Sequence, residues 1–273
     1  MTIVDNTLLR GTVFLIVFSA VAFSEIRWPR LSSHHSKKTR WQRNLGLIAI
    51  DVVVVYLWMP LTVVMVATRV HDHQLGILNQ IPLPTPMVWL IALIWMDMVI
   101  YWQHRWFHQI GCLWRLHKVH HLDLDIDVST GLRFHPAEIL LSLLLKCAAV
   151  AFMGVPAQVV VVSEILINSA AMFNHGNIAI PAPLDRLLRH FLVTPDMHRI
   201  HHSVTVRETN SNYGFCLSWW DFLFHSYTEH PQKGHQGMQI GLSDYQSFAR
   251  HTLVYLLKLP FIPPQPDDAS APK

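Results

Sequence analysis

Nineteen of the 273 residues are histidine, and eight of them fall in three short runs. His104 and His108 stand four apart; His117, His120 and His121 form an HxxHH run; His198, His201 and His202 form another. Residues at i, i+3 and i+4 share a helical face, so HxxxH aims two imidazoles in one direction and HxxHH aims three. A lone histidine is ordinarily a satisfied polar side chain, but three such runs point to a metal site. Eight imidazoles exceed what one ion can take, which predicts two ions. The three cysteines (Cys112, Cys147, Cys216) form no CxxC pair and join none of the runs, which speaks against a thiolate zinc site, a disulfide framework or an iron–sulfur cluster. Imidazole suits zinc, copper, iron and nickel alike, so ligand type does not choose among them.

The elements that must position these residues are membrane helices. The chain is 51% hydrophobic and 14% charged, with mean hydropathy +0.28, against about 25% charged in soluble domains. That composition excludes both an ordinary cytosolic enzyme and a disordered chain. A net charge of +3 is too small to imply a nucleic-acid partner. Apolar stretches run over 8–26, 45–68 and 87–102. Two more, 139–153 and 157–173, flank Gly154-Val155-Pro156 and read as a helical hairpin. The expected fold is all-α: about three spans plus a membrane-embedded hairpin, under a histidine-rich helical cap.

Six Lys/Arg and no acid lie between Arg27 and Arg43, against Arg69 alone between 69 and 86. The positive-inside rule puts the first of these loops, and with it all three histidine runs, on the cytoplasmic side. Lys146 and Glu164 each stand nine residues from Val155, at similar depth, and are expected to pair because isolated intramembrane charges are costly. The expected organisation is 1–86 as spans and basic loop, 87–230 as the catalytic domain, and 231–273 as an amphipathic helix over 247–259 followed by a disordered tail.

The motifs around the histidines extend the pattern. They are Asp97…Tyr101-Trp102-Gln103-His104-Arg105, then Leu113-Trp114-Arg115-Leu116-His117-Lys118-Val119-His120-His121, then Leu132-Arg133-Phe134-His135-Pro136-Ala137-Glu138. Phe173-Asn174-His175-Gly176-Asn177 and Thr194-Pro195-Asp196-Met197-His198-Arg199-Ile200-His201-His202-Ser203 follow, with Asn212-Tyr213-Gly214 beyond them. Together these resemble the fatty acid hydroxylase/sterol desaturase superfamily, in its sterol-desaturase-like branch, over roughly residues 90–230. The resemblance implies a non-haem diiron enzyme, with zinc a possible surrogate, that uses O2 to hydroxylate or desaturate an unactivated C–H bond of a membrane lipid. It implies His104, His108, His117, His120, His121, His175, His198, His201 and His202 as ligands. One ligand position of the fatty-acid 2-hydroxylase branch is Ala171 here, with His135, Asn177 or water as candidates to fill it.

Asp97, seven and eleven residues before His104 and His108, is expected to hold an imidazole from behind by accepting its second N–H. Glu138, Asn177, Asp196 and Asn212 are candidates for the same role. The chain shows no dinucleotide fingerprint or haem-attachment motif, so a separate ferredoxin- or cytochrome-type donor and its reductase are implied. The rival class is a non-redox zinc membrane protein, either a hydrolase or a metal carrier, or else a catalytically degenerate relative. A hydrolase would want a carboxylate within the runs, as in HExxH, and none of the three has one.

Overall fold

In the computed structural model, which describes residues 3–59 and 62–262, the apolar stretches are helices, and no strand beyond three isolated bridges occurs among the described residues. Five helical regions are long and apolar enough to cross a bilayer. The first is α1 (Ile3–Arg27). Next comes α2 (Lys37–Trp58), started by Ser36, whose hydroxyl accepts from Thr39 N. The single stretch expected over 45–68 is two elements. α2 begins earlier, at Lys37, and stops at Trp58, while α3 (Val63–Asp72) restarts behind a Thr62 cap; Pro60 lies outside the described residues. A short α4 (Ile77–Gln80) leads to α5 (Thr85–Gln109), with Pro86 in its first turn. Its 25 residues reach about 37 Å, beyond a hydrocarbon core of about 30 Å. The last turns, carrying His104 and His108, therefore project past the core toward α6 (Gly111–His121).

The hairpin is α7 (Pro136–Met153) and α8 (Ala157–Asn174), turned at Gly154 with φ +77°. The loop before α4 lies against that turn: a Cβ on Gly76 would stand 2.3 Å from Gly154 N. Only glycine permits this approach. α3 packs on both arms, α5 packs on both, and α1 packs along α8. Ala67, Ala92, Met96, Val150 and Val159 fill the bundle core, small residues letting the helices come close. Val52, Val53, Leu57 and Trp58 of α2 stay exposed, as a lipid-facing surface would. Glu164 does not pair with Lys146. Its partner is Arg10 on α1, because α1 packs along α8 and brings a longer cation to the same depth.

The cap contains α9 (Ala182–Leu188), α10 (Pro195–His201), α11 (Val206–Thr209), α12 (Trp219–Leu223) and α13 (Gly234–Gly237). The amphipathic helix expected over 247–259 is shortened to α14 (Leu253–Lys258). It docks rather than floats, since Leu256 and Leu259 are buried with Leu47, Trp114 and Leu122. The tail beyond residue 262 lies outside the described residues.

A buried polar network ties α2 to the cap. Arg40 grips Asp123 with two nitrogens at 2.7 and 2.8 Å and reaches Asp127 at 2.6 Å. Asn44 donates to Asp123 at 3.1 Å and accepts from Arg133 at 3.0 Å. Glu25, at the end of α1, accepts the backbone N–H of Val128 and of Asn177.

Candidate metal centre

Nine of the histidines converge in two buried groups. The ligand atoms within each group lie within 4.8 Å of one another. The first group holds His104, His108, His117, His121 and His201; the second holds His120, His175, His198 and His202. Each HxxHH run is therefore divided. The i, i+4 pair of α6 serves the first group and its middle histidine the second, while in the run that begins in α10 the arrangement is reversed. α5 contributes His104 and His108, and His175 is the C-cap residue of α8.

The hydrogen bonds around the groups assign the ring protons. His104 Nδ1 donates to Tyr213 O at 2.8 Å, His120 Nδ1 to Arg133 O at 3.1 Å, His175 Nδ1 to Ala171 O at 2.6 Å and His201 Nδ1 to Ser211 O at 2.7 Å. His117 Nδ1 lies 2.7 Å from Glu138 Oε1. A carbonyl only accepts, so in those four rings the proton sits on Nδ1 and Nε2 carries a lone pair. Those Nε2 atoms face inward. His175 Nε2 stands 3.0 Å from His120 Nε2 and 3.1 Å from both His202 Nε2 and His198 Nε2. His104, His117 and His201 Nε2 are buried without a partner, as are both ring nitrogens of His108 and His121. Lone pairs aimed at each other in a dry interior repel, and a cation at their focus turns the arrangement into coordination. The donor set fits metal ions of the imidazole-binding kind.

Burial keeps the rings neutral. It lowers His117 to about 3 and His175 to about 4. His120, His121, His198, His201 and His202 are pushed well below the ordinary histidine range by burial and by neighbouring imidazoles. A metal therefore has no proton to displace at neutral pH.

The other candidates divide. Glu138 lies against an imidazole, that of His117. Asp97 does not: its carboxylate accepts from Cys216 N, Leu217 N and Trp220 Nε1. The segment after the last run packs on that face of α5, so Asp97 acts on a ligand only through the backbone that carries Tyr213 O. Asp221 shares this task, accepting from Tyr213 N and Gly214 N, and burial raises it to about 6. His135 lies outside both groups. Its Nδ1 accepts from Ala137 N as the N-cap of α7, and its Nε2 donates to Leu257 O. Asn177 binds Leu31 and Arg199, Asp196 binds Arg30, and Asn212 Nδ2 donates to the carbonyls of Met197 and Thr228. None of these three touches an imidazole of either group (Asp196 lies 3.8 Å from the His235 ring, outside both), and at Ala171 the chain offers a carbonyl to His175 in place of a fifth ring. The residues missed in the sequence are Glu25, Arg40, Asn44, Asp123 and Asp221; the alternating run Asp123-Leu124-Asp125-Ile126-Asp127 was the available signal.

Two cavities approach the groups. A narrow chamber of about 110 Å³ between α5, α7 and α8 has His104 and His117 in its wall. An apolar groove of about 660 Å³ lies between α1, α5 and α8. Ile167 and Phe215 border both, and the Phe215 ring lies 5.3 Å from that of His104.

Replacing Glu138 by alanine should weaken metal retention about 10- to 100-fold, the usual cost of losing a partner behind a ligating histidine. Glu138→Gln, which keeps an acceptor, should lose less. Metal content after graded chelator dialysis reads both.

The arrangement defines a helical membrane protein with a polyhistidine centre suited to holding cations. The fatty acid hydroxylase family profile matches residues 89–226, and the chain belongs to that family. It is 26% identical over 174 residues to alkylglycerol monooxygenase of Homo sapiens, which covers 62% of this chain and 37% of the relative. It is 29% identical over 172 residues to the ornithine lipid hydroxylase OlsE of Rhizobium tropici, covering 63% and 50% respectively. The chain thus spans half or less of the length of these relatives. No solved structure matches it.

Proposed function

We propose that the chain is an O2-dependent non-haem diiron oxygenase that hydroxylates or desaturates an unactivated C–H bond of a membrane lipid, with its centre facing the cytoplasm. The observation that carries this reading is the convergence of the inward-facing imidazole nitrogens in two adjacent buried groups. The relatives support the lipid: by name, one acts on alkylglycerols and another on ornithine lipids. His104, His108, His117, His121 and His201 would hold one iron, and His120, His175, His198 and His202 the other. Bound iron supplies O2 activation and removal of the substrate hydrogen. The protein's own part is orientation and dryness. Glu138 and the carbonyls of Tyr213, Ser211, Arg133 and Ala171 fix the rings; Phe107, Phe134 and Phe215 keep water from the chamber. A lipid chain reaches that chamber sideways from the bilayer. Electrons come from a separate ferredoxin- or cytochrome-type donor and its reductase. The basic loop over 27–43 supports the cytoplasmic orientation.

The test is metal stoichiometry on detergent-purified protein loaded anaerobically with Fe²⁺, beside a His120→Ala/His201→Ala variant. The expected result is near two irons per chain in the wild type and fewer in the variant, with lipid-dependent O2 uptake. One tightly held zinc and no iron would overturn the reading in favour of a non-redox zinc protein.

A further inference from the structure

With Glu164 taken by Arg10, Lys146 is left as a cation in the middle of α7 with neither an ion pair nor a hydrogen bond among the described residues. It lies eight residues past Glu138, about 12 Å along the helix and on the same face. It lines the narrow chamber together with Ser142 and Asn168, while His104 and His117 line it as well. Gln103 and Glu138 are further polar residues of that wall, and Gln103 Oε1 and Glu138 Oε2 are buried without a partner, Glu138 standing at the His117 end of the chamber. An uncompensated ammonium inside a membrane is costly, and such residues mark ligand paths. Lysine, serine hydroxyl and asparagine amide together donate to oxygen and cannot all be satisfied by an alkyl chain.

We propose that Lys146, with Ser142 and Asn168, binds the carboxylate of a lipid whose adjoining chain runs up the chamber toward His104 and His117. The proposal rests on the lipid-oxidising reading and narrows its substrate to lipids bearing a free carboxylate. The chamber's small volume, about 110 Å³, favours a compact carboxylate on a single chain over a phosphodiester carrying two. The carboxylate source is either a free fatty acid or an acyl chain joined to an amino acid, and the chemistry at Lys146 is the same for both.

The test uses the iron-loaded full chain in phosphatidylcholine nanodiscs, with empty discs subtracted. Binding is measured for radiolabelled palmitate, N-palmitoylglycine, hexadecanol and hexadecylammonium. The wild type should prefer one or both carboxylates over hexadecanol, and which one it takes identifies the source. Lys146→Met should bind that carboxylate roughly tenfold or more weakly, the usual loss for a hydrogen bond to a charged group, and hexadecanol unchanged. Lys146→Arg should retain carboxylate binding. Lys146→Glu should gain hexadecylammonium, a result misfolding cannot produce. Equal carboxylate binding by wild type and Lys146→Met would overturn the proposal, as would a wild-type preference for hexadecanol. Iron content is read in parallel. A wild type without iron defeats the oxygenase reading and leaves the carboxylate site standing; unchanged binding in an iron-replete Lys146→Met defeats the site alone.

Discussion

His120→Ala should abolish lipid oxidation while the protein still inserts in the membrane and folds. His120 is one of only four imidazoles in the second group, and none of the helices long enough to span the bilayer carries it. Its Nε2 faces His175 Nε2 at 3.0 Å, so its loss opens the group at its focus. Metal content should fall from near two per chain to near one. The first group has five imidazoles, so His108→Ala leaves it with as many as the second has naturally and should retain more metal than His120→Ala. His230→Ala, with its side chain 77% exposed, is the control and should change neither quantity. Membrane-fraction yield, metal content and product formation from the same preparations decide the matter. Activity of His120→Ala within tenfold of the wild type would remove His120 from the centre.

The contrast between the two groups shows where sequence reasoning reaches and where it stops. Helical spacing gathers His117, His120 and His121, and likewise His198, His201 and His202, on shared faces. It does not divide them, because the division depends on which imidazoles another helix brings opposite. Asp97 shows the same limit. It does share a face with His104, but that face also receives residues 216–220, which take up its carboxylate. Distance from the hairpin tip gives Lys146 and Glu164 equal depth yet says nothing of azimuth, and α1 supplies Arg10 from outside the hairpin. His175 stands alone in the sequence, and only its likeness to a family element marked it. The amphipathic pattern over 247–259 shows an apolar stripe, and the structure shows that Leu256 and Leu259 spend it on the cap core.

Arg40→Met should lower the melting temperature by on the order of 10 °C, because removing one member of a buried ion pair costs about 3–5 kcal/mol. Arg40 and Asp123 are each 1% exposed. Without the guanidinium, Asp123 and Asp127 become buried carboxylates with their main counter-charge gone. Arg40→Lys should recover only part of the loss, since an ammonium cannot reproduce the two-nitrogen grip on Asp123. The damage should also reach the metal groups unequally. Asp123 and Arg133 share Asn44, and Arg133 O takes the Nδ1 proton of His120, so the second group should lose metal before the first. Adding Asp123→Asn to Arg40→Met should restore part of the stability, because it removes an unpaired charge. The pH dependence has a definite sign. Arg40 and Arg133 hold Asp123 well below the usual carboxylate range, so its contribution is full above the unfolded value of about 3.9 and is lost as pH falls through the folded one. The gap in thermal stability between wild type and Arg40→Met should therefore be complete at neutral pH and narrow in acid. A gap that stayed constant down through the carboxylate range would assign the loss to packing around Arg40 rather than to its charge.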